Sequence, residues 1–160
     1  MFDNLIEIDY SETLLINELS ASKIKSGEQV IRFGFGQSPF LPPQHVIEAL
    51  QFYANRKEYI HVQGLLELRE AVAQFHSQFT PNLNYTTDQV VIAPGSKMLI
   101  YSVMLALKSA HVLLAAPSWV SYEPQAKLTN QPCSRINTTF KSQWKMTPDQ
   151  LEQACQGIEP

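Results

Sequence analysis

The spacing of apolar residues changes along this chain, and the changes mark out its elements. Leu15, Leu19 and Ile24 fall on one helical face within 11–24, and Gly27 follows as a stop signal. Ile31, Phe33 and Phe35 then alternate with Val30, Arg32 and Gly34, a period of two that predicts a strand over 29–35. The stretch 36–43 is rich in Pro, Ser and Gly and reads as a loop. Pro43 suits the first turn of a helix running to about Asn55. Leu65, Leu68, Val72, Phe75 and Phe79 recur three and four apart, the clearest amphipathic helix in the chain, which Pro81 and Asn82 end.

From Val90 onward, alternation gives way to uninterrupted apolar runs. Stretches 90–93 and 112–116 read as strands covered on both faces, as in a parallel sheet. Between them, 98–107 is apolar nearly all round, which predicts a helix packed centrally. Strand, helix and strand together predict a βαβ unit. A second helix is expected over 121–128 and a weaker third strand over 133–136. Thr147-Pro148-Asp149-Gln150 has the form of a capping box with Pro at the first helical position, so a helix runs to about Cys155 and Gly157 closes it. The expected fold class is α/β, a mostly parallel sheet flanked by helices.

Composition narrows the functions. The chain has 160 residues and a formal net charge of -3. It has no Lys/Arg cluster of the kind a nucleic acid or an anionic membrane requires. No apolar run approaches the roughly 18–20 residues of a membrane span, and Met1-Phe2-Asp3-Asn4 lacks the basic start of a signal peptide. The default is a cytoplasmic protein. Cys133 and Cys155, the only cysteines, are far apart and read as reduced thiols.

Four features could carry chemistry. At Gly95-Ser96-Lys97 an apolar run stops at a small-residue turn and opens into a helix, which aims backbone N–H groups and the positive end of a helix dipole at one point, as a phosphate requires. An ordinary strand-to-helix turn explains the same residues equally well, and Lys97 is either a phosphate partner or an exposed first-turn residue. The sequence matches neither a P-loop nor a dinucleotide fingerprint. Trp119 follows the run 112–116, where open α/β sheets place ligands, and offers a flat face to a planar ring; a core or interface aromatic is the plainer reading. Tyr59 and Tyr122 are either phosphate donors or half-buried packing. Gly34-Phe35-Gly36 reads as tight backbone, and the four scattered histidines show no metal-ligand spacing.

Taken in order, these residues resemble the class I/II aminotransferases dependent on pyridoxal phosphate, from about Arg32 to Cys155. Gly36-Gln37-Ser38-Pro39-Phe40 is similar to the family's Gly-Glu-Pro-x-Phe element, whose glycine lies near the substrate carboxylate. Tyr59, Gly64 and Leu68-Arg69-Glu70-Ala71 resemble a Tyr, Gly and Leu-Arg-x-Ala series, in which the Tyr reaches the phosphate bound by a partner subunit. Gly95-Ser96-Lys97 matches the phosphate turn. Pro117-Ser118-Trp119-Val120-Ser121-Tyr122 matches a Pro-x-Trp/Tyr-x-x-Tyr segment whose aromatic stacks on the pyridine ring.

The resemblance implies an aspartate aminotransferase-like enzyme that moves an amino group between an amino acid and a 2-oxo acid. It also implies a pyridoxal 5'-phosphate cofactor and a homodimer. Residues 1–43 would form an N-terminal segment belonging to the small domain together with a substrate-side loop, and 44–160 the start of the cofactor-binding large domain. Gln37, Ser38 and Ala110-His111 depart from the family pattern and leave the substrate subclass open. The Schiff-base lysine, the Asp that pairs with the pyridine nitrogen and the Arg that clamps the substrate carboxylate are expected beyond Pro160, so no catalytic residue is assigned within the chain, which reads as an N-terminal part. A lyase or synthase of the same superfamily, or a non-catalytic remnant or interaction module, is the alternative.

Overall fold

A computed structural model describes residues 6–158. The first five residues of the expected segment 1–43 and the last two of 44–160 lie outside the described residues. The chain divides into two compact units, one formed by Gly36–Leu99 and the other by Met1–Phe35 with Ile100–Pro160.

In the unit Gly36–Leu99, helix α2 spans Gln44–Tyr53 and helix α3 spans Leu66–Phe79. Pro43 is the N-cap of α2 rather than its first helical residue, and its carbonyl accepts from Val46 N at 2.9 Å. The period of α3 is as predicted, but its buried residues are Arg69 and Ala73, while Leu68, Phe75 and Phe79 are exposed. The Arg69–Ala73 face points at a 3-10 turn, Thr87–Gln89, held by a capping box in which Gln89 Oε1 accepts from Thr86 N at 2.9 Å.

The run 90–93, expected to be a strand, forms no ladder among the described residues. Ile92 N donates to Gln63 O at 2.9 Å, the link from this run back to the segment ahead of α3. Apolar composition encodes burial, but a strand also needs a partner segment along its length, and here only one residue finds one. Helix α4, Ser96–Ala106, begins in this unit and continues beyond Leu99.

In the other unit, α1 spans Glu12–Lys25, with Glu12 in its first turn and Lys23 and Lys25 in its last, matching the helix dipole. The alternating run 29–35 forms no strand among the described residues, for the same want of a partner, and Ile31 and Phe33 are exposed. Strand β1, Val112–Ala116, pairs in parallel with β2, Cys133–Asn137, from Val112 opposite Cys133 to Ala116 opposite Asn137. Helix α5, Tyr122–Leu128, connects them. The βαβ unit therefore begins one strand later than predicted, formed by β1, α5 and β2. Ala126 and Ile136 are buried there.

Gln131 staples this unit internally. Its Oε1 accepts from Ala110 N at 2.8 Å, and its Nε2 donates to Leu107 O at 3.0 Å, just past the end of α4. His111 and Ser134 share a hydrogen bond of 2.8 Å from β1's leading edge to β2. The predicted capping box is present at helix α6, Pro148–Cys155, where Thr147 Oγ1 accepts from Gln150 N at 3.3 Å and Gln150 Oε1 from Thr147 N at 3.0 Å. Gln150 Nε2 also donates to Asn137 O at 2.9 Å, tying α6 to the end of β2.

The central burial predicted for 98–107 is absent in the described structure. α4 contains no buried residue, and Val103 and Leu105 are 63% and 61% exposed. A helix apolar on every side needs cover on every side, and the described residues do not supply it. Both cysteines are free thiols; burial, then the neighbouring Glu123, pushes the Cys133 thiol above its ordinary range, while Arg135 acts in the opposite direction.

Candidate functional site

The turn at Gly95 is built from backbone. Gly95 has φ +89°, a left-handed conformation that side chains resist, and its N–H donates to Ala93 O at 2.7 Å, so the chain reverses tightly before Ser96 starts α4. A Cβ placed on Gly95 would meet nothing within 4 Å. Glycine is thus required for conformation here rather than for space. The first N–H groups of α4, which have no acceptor four residues back within the helix, follow directly on this turn. Ser96 and Lys97 are both exposed.

Tyr59 and Gly64 lie in the same unit, in the segment ahead of α3. Tyr59 is fully exposed. Gly64 differs from Gly95 in that both conformation and space demand it: φ is +102°, and a Cβ would stand 2.6 Å from Ile92 Cβ. Gly36 is exposed with open space around it.

Arg69, at 6% exposure, is the buried cation of this unit, and its importance is not visible in the sequence pattern. Nε donates to Gly64 O at 3.3 Å; Nη1 donates to Gln63 Oε1 at 3.3 Å and to Thr87 O at 3.1 Å. The only sequence signal was its place in the Leu-Arg-x-Ala series.

Trp119 and Tyr122 belong to the other unit, in the turn between β1 and α5. Tyr122 N donates to Trp119 O at 3.2 Å, and the two rings meet edge to face with centroids 5.4 Å apart. Trp119 remains 41% exposed, with the tyrosine against one edge of its ring. The expected position just after a strand's carboxyl end is observed, since β1 ends at Ala116. Gly34 touches its own unit closely, with a hypothetical Cβ 2.7 Å from Ile16 Cγ2, which agrees with tight backbone.

Among the described residues, no group of three or more His, Cys, Asp or Glu side chains is placed to hold a metal, and no helix is long and apolar enough to cross a membrane. Residues 28–159 match the sequence model of aminotransferase class I and II. The chain belongs to that family.

Over 156 residues this family member is 28% identical to the aspartate/prephenate aminotransferase of Cereibacter sphaeroides, covering 95% of the chain and 39% of that protein. It is 28% identical over 148 residues to the aspartate aminotransferase of Bacillus subtilis, covering 90% and 37% respectively. Among solved structures it is similar to the aspartate aminotransferase of Rhizobium meliloti, with a TM-score of 0.83 and 27% identity over 96% of the chain and 38% of that protein. The fold is thus the α/β fold of aspartate aminotransferases, and this aminotransferase-family chain spans about two fifths of the length of its relatives.

Proposed function

We propose that this chain is part of a pyridoxal-phosphate-dependent aminotransferase transferring an amino group between an amino acid and a 2-oxo acid, and that it holds and orients the cofactor. The observation that carries the reading is the turn at Gly95, with φ +89°, opening into α4 inside a chain matched by the aminotransferase family over 28–159. Within the unit Gly36–Leu99 the turn fits the group's phosphate, offering backbone donors beside open space; in the other unit, taken by itself, the half-exposed Trp119 suits a planar ring.

When bound, pyridoxal phosphate supplies the electron sink that allows an amino acid to lose its α-proton. The chain's own residues bind and orient. Ser96 and Lys97 N–H groups would hold the phosphate, with the Lys97 ammonium adding charge outside that cradle. By the family resemblance, the Trp119 indole would stack on the ring. Tyr59 would donate its hydroxyl to the phosphate bound by the partner copy in a homodimer, and Gly36 would leave room for the substrate carboxylate. The lysine that moves the proton is assigned to residues following Pro160 in a longer, cytoplasmic protein. Relatives named for aspartate support an acidic amino acid as donor.

The test is to assay the full-length protein for 2-oxo acid formation from aspartate, with and without added pyridoxal phosphate, beside the 160-residue chain. Cofactor-dependent turnover by the longer protein alone is expected, with borohydride trapping the cofactor on a lysine after Pro160. A full-length protein that neither binds the cofactor nor turns over overturns the reading; trapping on a lysine of this chain, with turnover, overturns its division of labour.

A further inference from the structure

Arg69 holds together, with one side chain, two segments that the proposed function assigns to phosphate binding. All the residues involved lie in the unit Gly36–Leu99. A cation at 6% exposure needs partners, because removing a charge from water costs more than any single contact returns. Its hydrogen-bond partners are neutral oxygens: Gly64 O, Gln63 Oε1 and Thr87 O. Among the described residues no carboxylate lies within ion-pairing distance of it.

A guanidinium used this way is a spacer. Its donors are fixed in one plane, so the acceptors they reach are fixed relative to each other. Two of these acceptors belong to residues just after Tyr59, and the third lies at the 3-10 turn before the run 90–93. The two sides meet again one step further on. Gln63 O accepts from Ile92 N at 2.9 Å, and Gly64 is pressed against the Ile92 side chain. Ile92 lies just ahead of Pro94 and Gly95, so the path from Arg69 leads through Gln63 and Gly64 to the phosphate turn. A lysine has one point of charge and cannot span these acceptors in the same geometry.

We propose that Arg69 is a positioning residue for phosphate binding, its guanidinium setting the Tyr59–Gly64 segment and the segment leading to Gly95–Lys97 against one face of α3. This rests on the functional reading above, which makes both segments part of a phosphate site.

The experiment compares the full-length parent with Arg69→Lys and, as a milder second variant, Gln63→Ala, which removes one acceptor and keeps the cation. Hydrogen exchange is read at the Ile92 amide, with the Thr138 amide, bonded to Ala116 O at 2.9 Å in the other unit, as the folding control. Binding is read separately for pyridoxal phosphate and for pyridoxal, which lacks the phosphate. Arg69→Lys is expected to speed exchange at Ile92 by about tenfold and leave Thr138 unchanged; pyridoxal phosphate affinity falls by about tenfold and pyridoxal affinity stays constant. Gln63→Ala moves both readouts the same way by less, and decides the matter if Thr138 shows Arg69→Lys to be unfolded. Unchanged exchange at Ile92, or equal losses for the two ligands as a merely structural role would give, overturns the proposal. A parent that binds both ligands equally overturns the functional reading instead, and the positioning role with it.

Discussion

Gly64 lies so close to Ile92 that a Cβ on the glycine would stand 2.6 Å from the isoleucine's own Cβ. The neighbouring atom is the branch point of a stiff side chain rather than a mobile tip, so it cannot swing away. The φ of +102° adds conformational strain to this steric demand. Gly64→Ala is therefore expected to lower stability by about 1–3 kcal/mol. Urea denaturation of parent and variant measures it, and an unchanged midpoint would show the segment free to shift.

Gly95 sets a different demand, because its surroundings are open and only its φ of +89° requires glycine. Valine there strains the backbone by about 1–3 kcal/mol and turns the N–H groups of the following helix start away from their target. Lys97→Ala removes one exposed charge, which solvent screens. In the complete protein, Gly95→Val is expected to speed cofactor release more than Lys97→Ala. Release rates in the opposite order would make the lysine charge the dominant contribution.

Trp119 is held edge-on by Tyr122 and leaves its indole partly open. Stacking geometry adds only about 1 kcal/mol to burial, so Trp119→Phe should reduce cofactor affinity by no more than about tenfold and Trp119→Ala by more. Tryptophan fluorescence in the parent should fall as cofactor binds. If neither variant changes affinity, the residue serves packing alone.

Tyr59 is fully exposed, which suits a side chain meant for another copy of the protein. Full-length Tyr59→Phe mixed with a variant lacking the Schiff-base lysine gives hybrid dimers in which the two residues come from opposite chains. With Tyr59 acting across the interface, the hybrid is expected to carry one site with both an intact lysine and an intact tyrosine, drawn from opposite chains and normal in phosphate affinity, and one site lacking both. A contact that follows the tyrosine within one chain, or an active enzyme sedimenting as a monomer, excludes the shared site.

Gln131 joins the end of α4 to the start of β1 through bonds to Leu107 O and Ala110 N. Gln131→Ala leaves both backbone groups short of a partner in a partly buried setting, at a cost of about 1–3 kcal/mol. Thermal melts of the two proteins measure the difference. Gln131→Glu keeps the acceptor for Ala110 N but loses the donor to Leu107 O, and is expected to fall between parent and alanine variant.

The sequence revealed most where structure depends on neighbours along the chain. Thr147 and Gln150 form the capping box their spacing announces, α1 and α3 lie where their periods place them, and α5 lies within the stretch expected to be helical. It revealed less where structure depends on distant partners. The runs 29–35 and 90–93 have strand-like composition, but a ladder is a property of two segments, and the observed pair is β1 with β2. The site divides the same way. Gly95 and Trp119 could be read from turn chemistry and position, whereas Arg69 could not, because its hydrogen-bond partners include two backbone carbonyls, which every residue type carries. The stripe through Leu68, Phe75 and Phe79 misled for a related reason: periodicity identifies an apolar face without saying what covers it.

The two-stranded sheet has an outcome of its own. Each strand is bonded on one side only, so among the described residues the pair carries two parallel edges whose backbone donors and acceptors can extend the ladder. A strand added to either edge gains a ready-made register. In the longer protein proposed above, these edges are where further parallel strands of the same sheet would join.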